Sequence, residues 1–158
     1  MLTQFRPTQS SDLKQILYFN LDRTELFYFS PSIHYPLTLE QLQQLLSKSH
    51  ESTTMLEDKK IIGFANFYNV VKHNIGFIGN IIISPEKRRQ GFGKKLIQST
   101  LDSGFNQLQL KEIHLSCYKT NKAALELYSQ LGFRVYAQEV RKDENNSTTE
   151  LFHLKLKK

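Results

Sequence analysis

Between Ile81 and Leu96 the chain reads Ile-Ile-Ile-Ser-Pro-Glu-Lys-Arg-Arg-Gln-Gly-Phe-Gly-Lys-Lys-Leu: an apolar β-branched stretch, a basic turn, two glycines one residue apart, and the start of a helical pattern. That spacing can hold an anion. Gly91 and Gly93 let the main chain approach a ligand with no Cβ in the way, and the free N–H groups of a helix's first turn point at the same place with the positive end of the dipole behind them. Arg88, Arg89, Lys94 and Lys95 add charge where phosphate oxygens would lie. The segment therefore reads as a cradle for a diphosphate. Two common phosphate motifs are excluded by counting: a dinucleotide fingerprint needs a third small residue where Leu96 stands, and a P-loop needs a glycine where Arg88 stands.

What does fit is [Q/R]-x-x-G-x-[G/A], with Arg88, Gly91 and Gly93 in the marked positions. Downstream, Asn121, Ala124, Leu127, Tyr128, Gly132 and Phe133 fill N-x-x-A-x-x-L-Y-x-x-x-G-F. With both patterns in this order, the stretch from about Asn74 to Tyr136 resembles the GNAT superfamily of N-acetyltransferases; the N-terminal half agrees in layout. The resemblance implies acetyl-coenzyme A as co-substrate, direct transfer of its acetyl group to a primary amine, and no metal. It also assigns roles. Arg88, Arg89, Gln90, Gly91, Phe92, Gly93 and Lys94 would form the diphosphate cradle. Backbone groups of Ile81, Ile82 and Ile83 would pair with the pantetheine amides, Asn121 would touch the pantetheine, and Tyr128 would protonate the departing thiolate. Packing competes as an explanation for Tyr128, which stands beside a stripe of Ala124, Leu127 and Leu131, and helix capping competes for Asn121.

A general base is missing from this picture. Many members of the superfamily carry a glutamate on the strand leading into the loop, yet Ile61 to Ser84 contains no acidic residue and Phe77 stands near that place; Ser116 stands where some members carry a glutamate on the next strand. Two routes stay open: deprotonation through ordered water held by Asn80 or Ser116, or capture of an amine already neutral in solution. The five histidines show no metal-ligand spacing and read as surface or structural, and Cys117 reads as a small buried residue.

Composition sets the outer bounds. A chain of 158 residues can bury a real core, and residues 1–158 are expected to form one acetyltransferase domain. No apolar run approaches the ~20 residues that would span a bilayer, the start lacks an apolar signal region, and a lone cysteine suits a reducing compartment. A cytoplasmic protein is expected. The formal charge of +6 is consistent with an anionic small ligand, and nothing interleaves aromatic and basic residues as a nucleic-acid surface would. No nucleic acid or membrane partner is expected; the acceptor is a small-molecule or peptide amine, and a homodimer is allowed. The rival function is an acyl-coenzyme A sensor that keeps the cradle without turnover.

The elements that must position these residues follow from periodicity and caps. Leu2 to Pro7 alternates as a strand, and a helix through Leu13, Ile16 and Leu17 follows. The aromatic segment Leu26 to Pro36 is expected to be irregular or a short helix with a loop, and Thr38 caps a helix through Leu46. Thr53–Glu57, Ile61–Val71 and Ile75–Ser84 read as an antiparallel meander. A helix from about Gly91 to Ser103 ends at Gly104, a strand runs through Ile113 and Cys117, and a helix ends at Gly132. A last strand pair, Phe133–Val140 and Thr148–Leu156, flanks a polar turn. The order β-α-α-β-β-β-α-β-α-β-β predicts an α/β fold with one mixed, mostly antiparallel sheet flanked by helices. In the superfamily it resembles, the strands corresponding to Ile75–Ser84 and Ile113–Tyr118 splay apart around pantetheine.

Overall fold

A computed structural model describes residues 2–158. Its strands are β1 (Thr3–Pro7), β2 (Glu51–Glu57), β3 (Lys60–Val71), β4 (Ile75–Ile83), β5 (Glu112–Tyr118), β6 (Arg134–Lys142) and β7 (Thr148–Lys157). Its helices are α1 (Leu13–Leu17), α2 (Arg23–Phe29), α3 (Leu39–Lys48), α4 (Phe92–Asp102) and α5 (Lys122–Gln130). The strands form one sheet in the order β1-β2-β3-β4-β5-β7-β6. Every neighbour pair is antiparallel except β4 and β5. No helix among the described residues is long and apolar enough to cross a membrane.

The apolar faces of the helices cover the sheet on both sides. On one face Leu13, Ile16, Leu26, Phe29 and Leu42 of the N-terminal helices pack on Phe64 and Ile82. On the other, Ile97, Leu101 and Tyr128 pack on Phe67, Ile78, Ile113 and Leu115. The aromatic segment begins with a helix of its own, α2. Asp22 accepts from the Glu25 N–H at 2.8 Å and Glu25 returns a bond to the Asp22 N–H at 3.2 Å, so a capping box starts the helix.

Gly104 does not end its helix. After α4 the chain continues through one π-helical turn, Ser103–Gln107. A Cβ on Gly104 would lie 2.6 Å from Ile113 Cδ1 and 2.7 Å from Phe67 Cζ. Glycine is present there for close approach of helix to sheet.

The parallel pairing of β4 with β5 is brief. It covers Ile75↔Glu112, Gly76↔Ile113 and Phe77↔His114 and then stops. On its other side β4 slips register between Phe64↔Ile82 and Asn66↔Gly79, so that Asn80 and Ile81 together face Ala65; Asn80 takes a left-handed φ of 50°. This is a β-bulge, which bends the strand and turns it away from its neighbour. Beyond Phe77 the β5-facing edge of β4 is left unpaired.

Candidate active site

The gap between β4 and β5 opens into a cleft of about 1560 Å³ that also takes in the glycine loop, the start of α5, α2 and the segment leading to α3. Gly91 is the N-cap of α4 with φ 84°, and a Cβ built on it meets nothing within 4 Å. The backbone angle requires glycine, and the space in front is open. The first bond into α4 is Lys95 N–H to Gly91 C=O at 3.2 Å, so the N–H groups of Phe92, Gly93 and Lys94 have no partner within the helix. At Gly93 a Cβ would meet Leu127 at 3.6 Å, an ordinary contact, which explains why the sequence pattern admits alanine there.

The basic cluster divides in two. Lys87 pairs with Glu57 at 2.6 Å. Arg88 donates through Nε to the Ile83 carbonyl at 3.0 Å and pairs through Nη1 with Glu25 of α2, leaving a buried Nη2 without a protein partner. Arg89 and Lys94 line the cleft and form no ion pair among the described residues. The Phe92 side chain packs into a core group with Met55, Ile62 and Leu96, and Gln90 turns back to the Glu86 carbonyl. Neither of those two residues lines the cleft. Main-chain amides and two free cations on an open glycine turn fit the diphosphate of coenzyme A.

Ile81, Ile82 and Ile83 line the same cleft along the unpaired edge of β4. Asn121 begins α5 and its side chain makes no capping bond; it lines the cleft. Tyr128, 7% exposed, lines the cleft from α5, and its hydroxyl has no hydrogen-bond partner among the described residues. Burial, with Cys117 adding to it, pushes the Tyr128 phenol well above its ordinary value. Burial also pushes the neighbouring Cys117 thiol up to about 12. A thiolate released in these surroundings is strongly basic, and a phenol that keeps its proton at neutral pH can supply it.

Asn80 is tied into the protein at both ends of its amide. Its Nδ2 donates to the Phe29 carbonyl at 2.9 Å and its Oδ1 accepts from Asn66 Nδ2 at 2.9 Å; Asn66 Nδ2 also reaches Ser49 Oγ, and Asn66 Oδ1 is left without a protein partner at the cleft wall. Ser116 takes a different place. Its Oγ lies 2.7 Å from His153 Nδ1, whose Nε2 lies 2.9 Å from Glu139 Oε2. Nothing in the sequence marks His153, Glu25 or Glu139 as site residues, because their partners come from other strands and helices. No group of three or more potential metal ligands occurs among the described residues.

A seven-stranded mixed sheet splayed beside a glycine loop defines a class of acyl-group transferases, and comparison with known proteins agrees. The model of the acetyltransferase (GNAT) family matches residues 17–133, and the chain belongs to that family. It is an acetyl-coenzyme A-dependent N-acetyltransferase. A spermidine N(1)-acetyltransferase of Vibrio cholerae is 29% identical over 136 residues, which cover 81% of this chain and 76% of that protein. Among solved structures, the Vibrio cholerae spermidine N-acetyltransferase in complex with CoA and spermine has a TM-score of 0.84 at 24% identity, covering 98% of this chain and 95% of that one. The ribosomal-protein-S18-alanine N-acetyltransferase of Escherichia coli has a TM-score of 0.77 at 18% identity, covering 99% and 94%. Similarity at those identities shows a shared fold.

Proposed function

We propose that residues 1–158 act as one cytoplasmic domain that acetylates the primary amine of a small molecule whose remainder is neutral or anionic. A shortage of free carboxylates in the cleft carries this reading. Its lining includes three, Asp22, Glu25 and Glu126. Glu25 is neutralised by Arg88 and Asp22 is spent on the cap of α2. A polycation entering such a cleft meets little to offset the loss of its hydration. Tyr28, Phe29, Ile33 and Tyr68 give the wall an apolar component that suits a small organic body.

Arg89 and Lys94, with the amides of residues 91–94, hold the diphosphate in this reading, and the free edge of Ile81–Ile83 pairs with the pantetheine. When bound, the coenzyme supplies an acetyl thioester. Tyr128 holds the proton for its sulfur. A polyamine acceptor is the second reading, favoured by the name of the Vibrio cholerae relative. The uncovered edge strand β6, with Val135, Tyr136 and Val140 exposed, supports self-association through that edge.

Coenzyme release from acetyl-coenzyme A, followed with a thiol reagent over a panel of polyamines, arylalkylamines, amino acids and a peptide amine, tests the reading. We expect the highest kcat/KM from a neutral or anionic monoamine. A clear preference for spermidine or spermine would move the assignment to the second reading.

A further inference from the structure

We propose that Ser116, His153 and Glu139 form the proton-accepting relay that deprotonates the acceptor amine, an inference that rests on the acetyltransfer reading above. The three residues come from three adjacent strands, β5, β7 and β6. Ser116 and His153 are directly paired across the β5–β7 ladder, and Glu139 of β6 lies diagonal to His153, whose direct partner is Ala137. Ser116 and His153 both line the cleft, and Ser116 sits two residues beyond the last β4–β5 pair, where the strands have begun to part.

With the imidazole neutral, the form that can accept a proton, the hydrogen-bond directions are forced. Ionised Glu139 can only accept, so the bond of 2.9 Å to His153 Nε2 puts the imidazole proton on Nε2. Nδ1 then carries a lone pair, and across 2.7 Å the Ser116 hydroxyl must donate to it. That leaves the oxygen lone pairs of Ser116 free to accept from an N–H in the cleft. When an ammonium gives up its proton, the N–H bond breaks and the proton passes to Ser116 Oγ, while the hydroxyl's own proton passes to His153 Nδ1. The result is a neutral amine and an imidazolium beside a carboxylate. Ser116 meets the amine, His153 stores the proton behind it, and Glu139 is a positioning residue that fixes the tautomer and favours the charged ring.

Several charged and titratable groups face His153. Glu139 pairs with its Nε2, and Arg141 pairs with the other oxygen of Glu139. The Tyr136 ring lies 6.3 Å from the imidazole and bonds to His114 behind it. Lys155, on the same strand as His153, sits over that ring at 5.2 Å, and Tyr68 of β3 completes the wall.

The test has two independent arms. In the free enzyme, nitrogen-detected NMR of the histidine side chains is expected to show His153 as the Nε2–H tautomer. In kinetics, wild-type kcat/KM should level off in the pH 5–8 range where imidazoles titrate, well below the ~10 of a primary alkyl ammonium, with the NMR and kinetic midpoints coinciding. His153→Ala and Ser116→Ala should lose roughly 10²–10⁴-fold at pH 7 and climb with the amine's own deprotonation. Glu139→Gln should move both midpoints down together. An Nδ1–H tautomer, an unchanged plateau in His153→Ala, or an acetylated Ser116 found by peptide mass spectrometry overturns the relay. If no amine turns over at all, the acetyltransfer reading falls, and the tautomer and the Glu139→Gln titration still decide whether the relay exists.

Discussion

At the scale of single residues, the site separates groups that act through a side chain from groups that act through backbone. In the proposed mechanism Tyr128 is of the first kind. Removing its hydroxyl while keeping the ring should preserve the packing against Phe133, 5.9 Å away between centroids, and remove the proton. Tyr128→Phe is therefore expected to lower kcat by about 10²-fold or more with acetyl-coenzyme A affinity nearly unchanged. Steady-state kinetics beside calorimetric binding checks it, and full activity would return the tyrosine to the core. The two glycines contrast in the other way. Gly91→Glu places a side chain on a left-handed backbone, at a cost of about 1–3 kcal/mol, and aims a negative charge into the anion site. Gly93→Ala meets only van der Waals contact. Thermal shift with saturating acetyl-coenzyme A should keep the ligand's stabilisation in Gly93→Ala and lose it in Gly91→Glu.

At the scale of elements, what the sequence made legible was local and what it hid was contact between distant strands. The glycine turn and the α5 motif each lie within one short stretch, so residue type and spacing were enough to find them. The relay joins residues 37 and 14 apart through the registers of β5–β7 and β6–β7, and the β6–β7 register slips between Val135 and Ala137 with no mark in the sequence. Likewise three consecutive isoleucines give no sign of the bulge at Asn80–Ile81 that frees the strand edge. Gly104 looks like a helix stop in the sequence because composition cannot tell a terminus from a close approach. One long-range tie near the N-terminus is open to a direct test. Asp12, buried at the start of α1, takes bonds of 2.7 and 2.9 Å from Arg6 of β1 and 2.8 Å from the Gln9 N–H, and Thr54 of β2 donates to it at 3.2 Å. Burial opposes its ionisation, but those donors outweigh it and hold the carboxyl below its ordinary value. A depressed folded-state pKa contributes stability above the unfolded value, ~3.9, that is lost as pH falls through the folded one. Asp12→Asn should cost about 2 kcal/mol near neutrality. In denaturant titrations the gap between variant and wild type should narrow as the pH is taken below ~4; a gap that stays constant with pH would place the effect in packing.

At the scale of the whole molecule, the formal charge of +6 acts on two substrates of opposite sign. The donor is a polyanion, drawn toward a cleft lined by Arg89 and Lys94. An aliphatic amine is a cation at neutral pH and approaches the same field against repulsion. Salt screens both effects over a Debye length of about 10 Å at 0.1 M. Raising ionic strength should therefore lower kcat/KM for acetyl-coenzyme A and raise it for a cationic acceptor, with an anionic monoamine following the coenzyme. The expected change is several-fold between about 0.05 and 0.5 M salt, a range over which the Debye length falls from above 10 Å toward its value of ~3 Å at 1 M. Varying each substrate at saturation of the other separates the two slopes. If the cationic acceptor loses kcat/KM with salt instead, the cleft carboxylates Glu25 and Glu126 outweigh the global field where the amine binds, and a polyamine becomes the better-matched substrate.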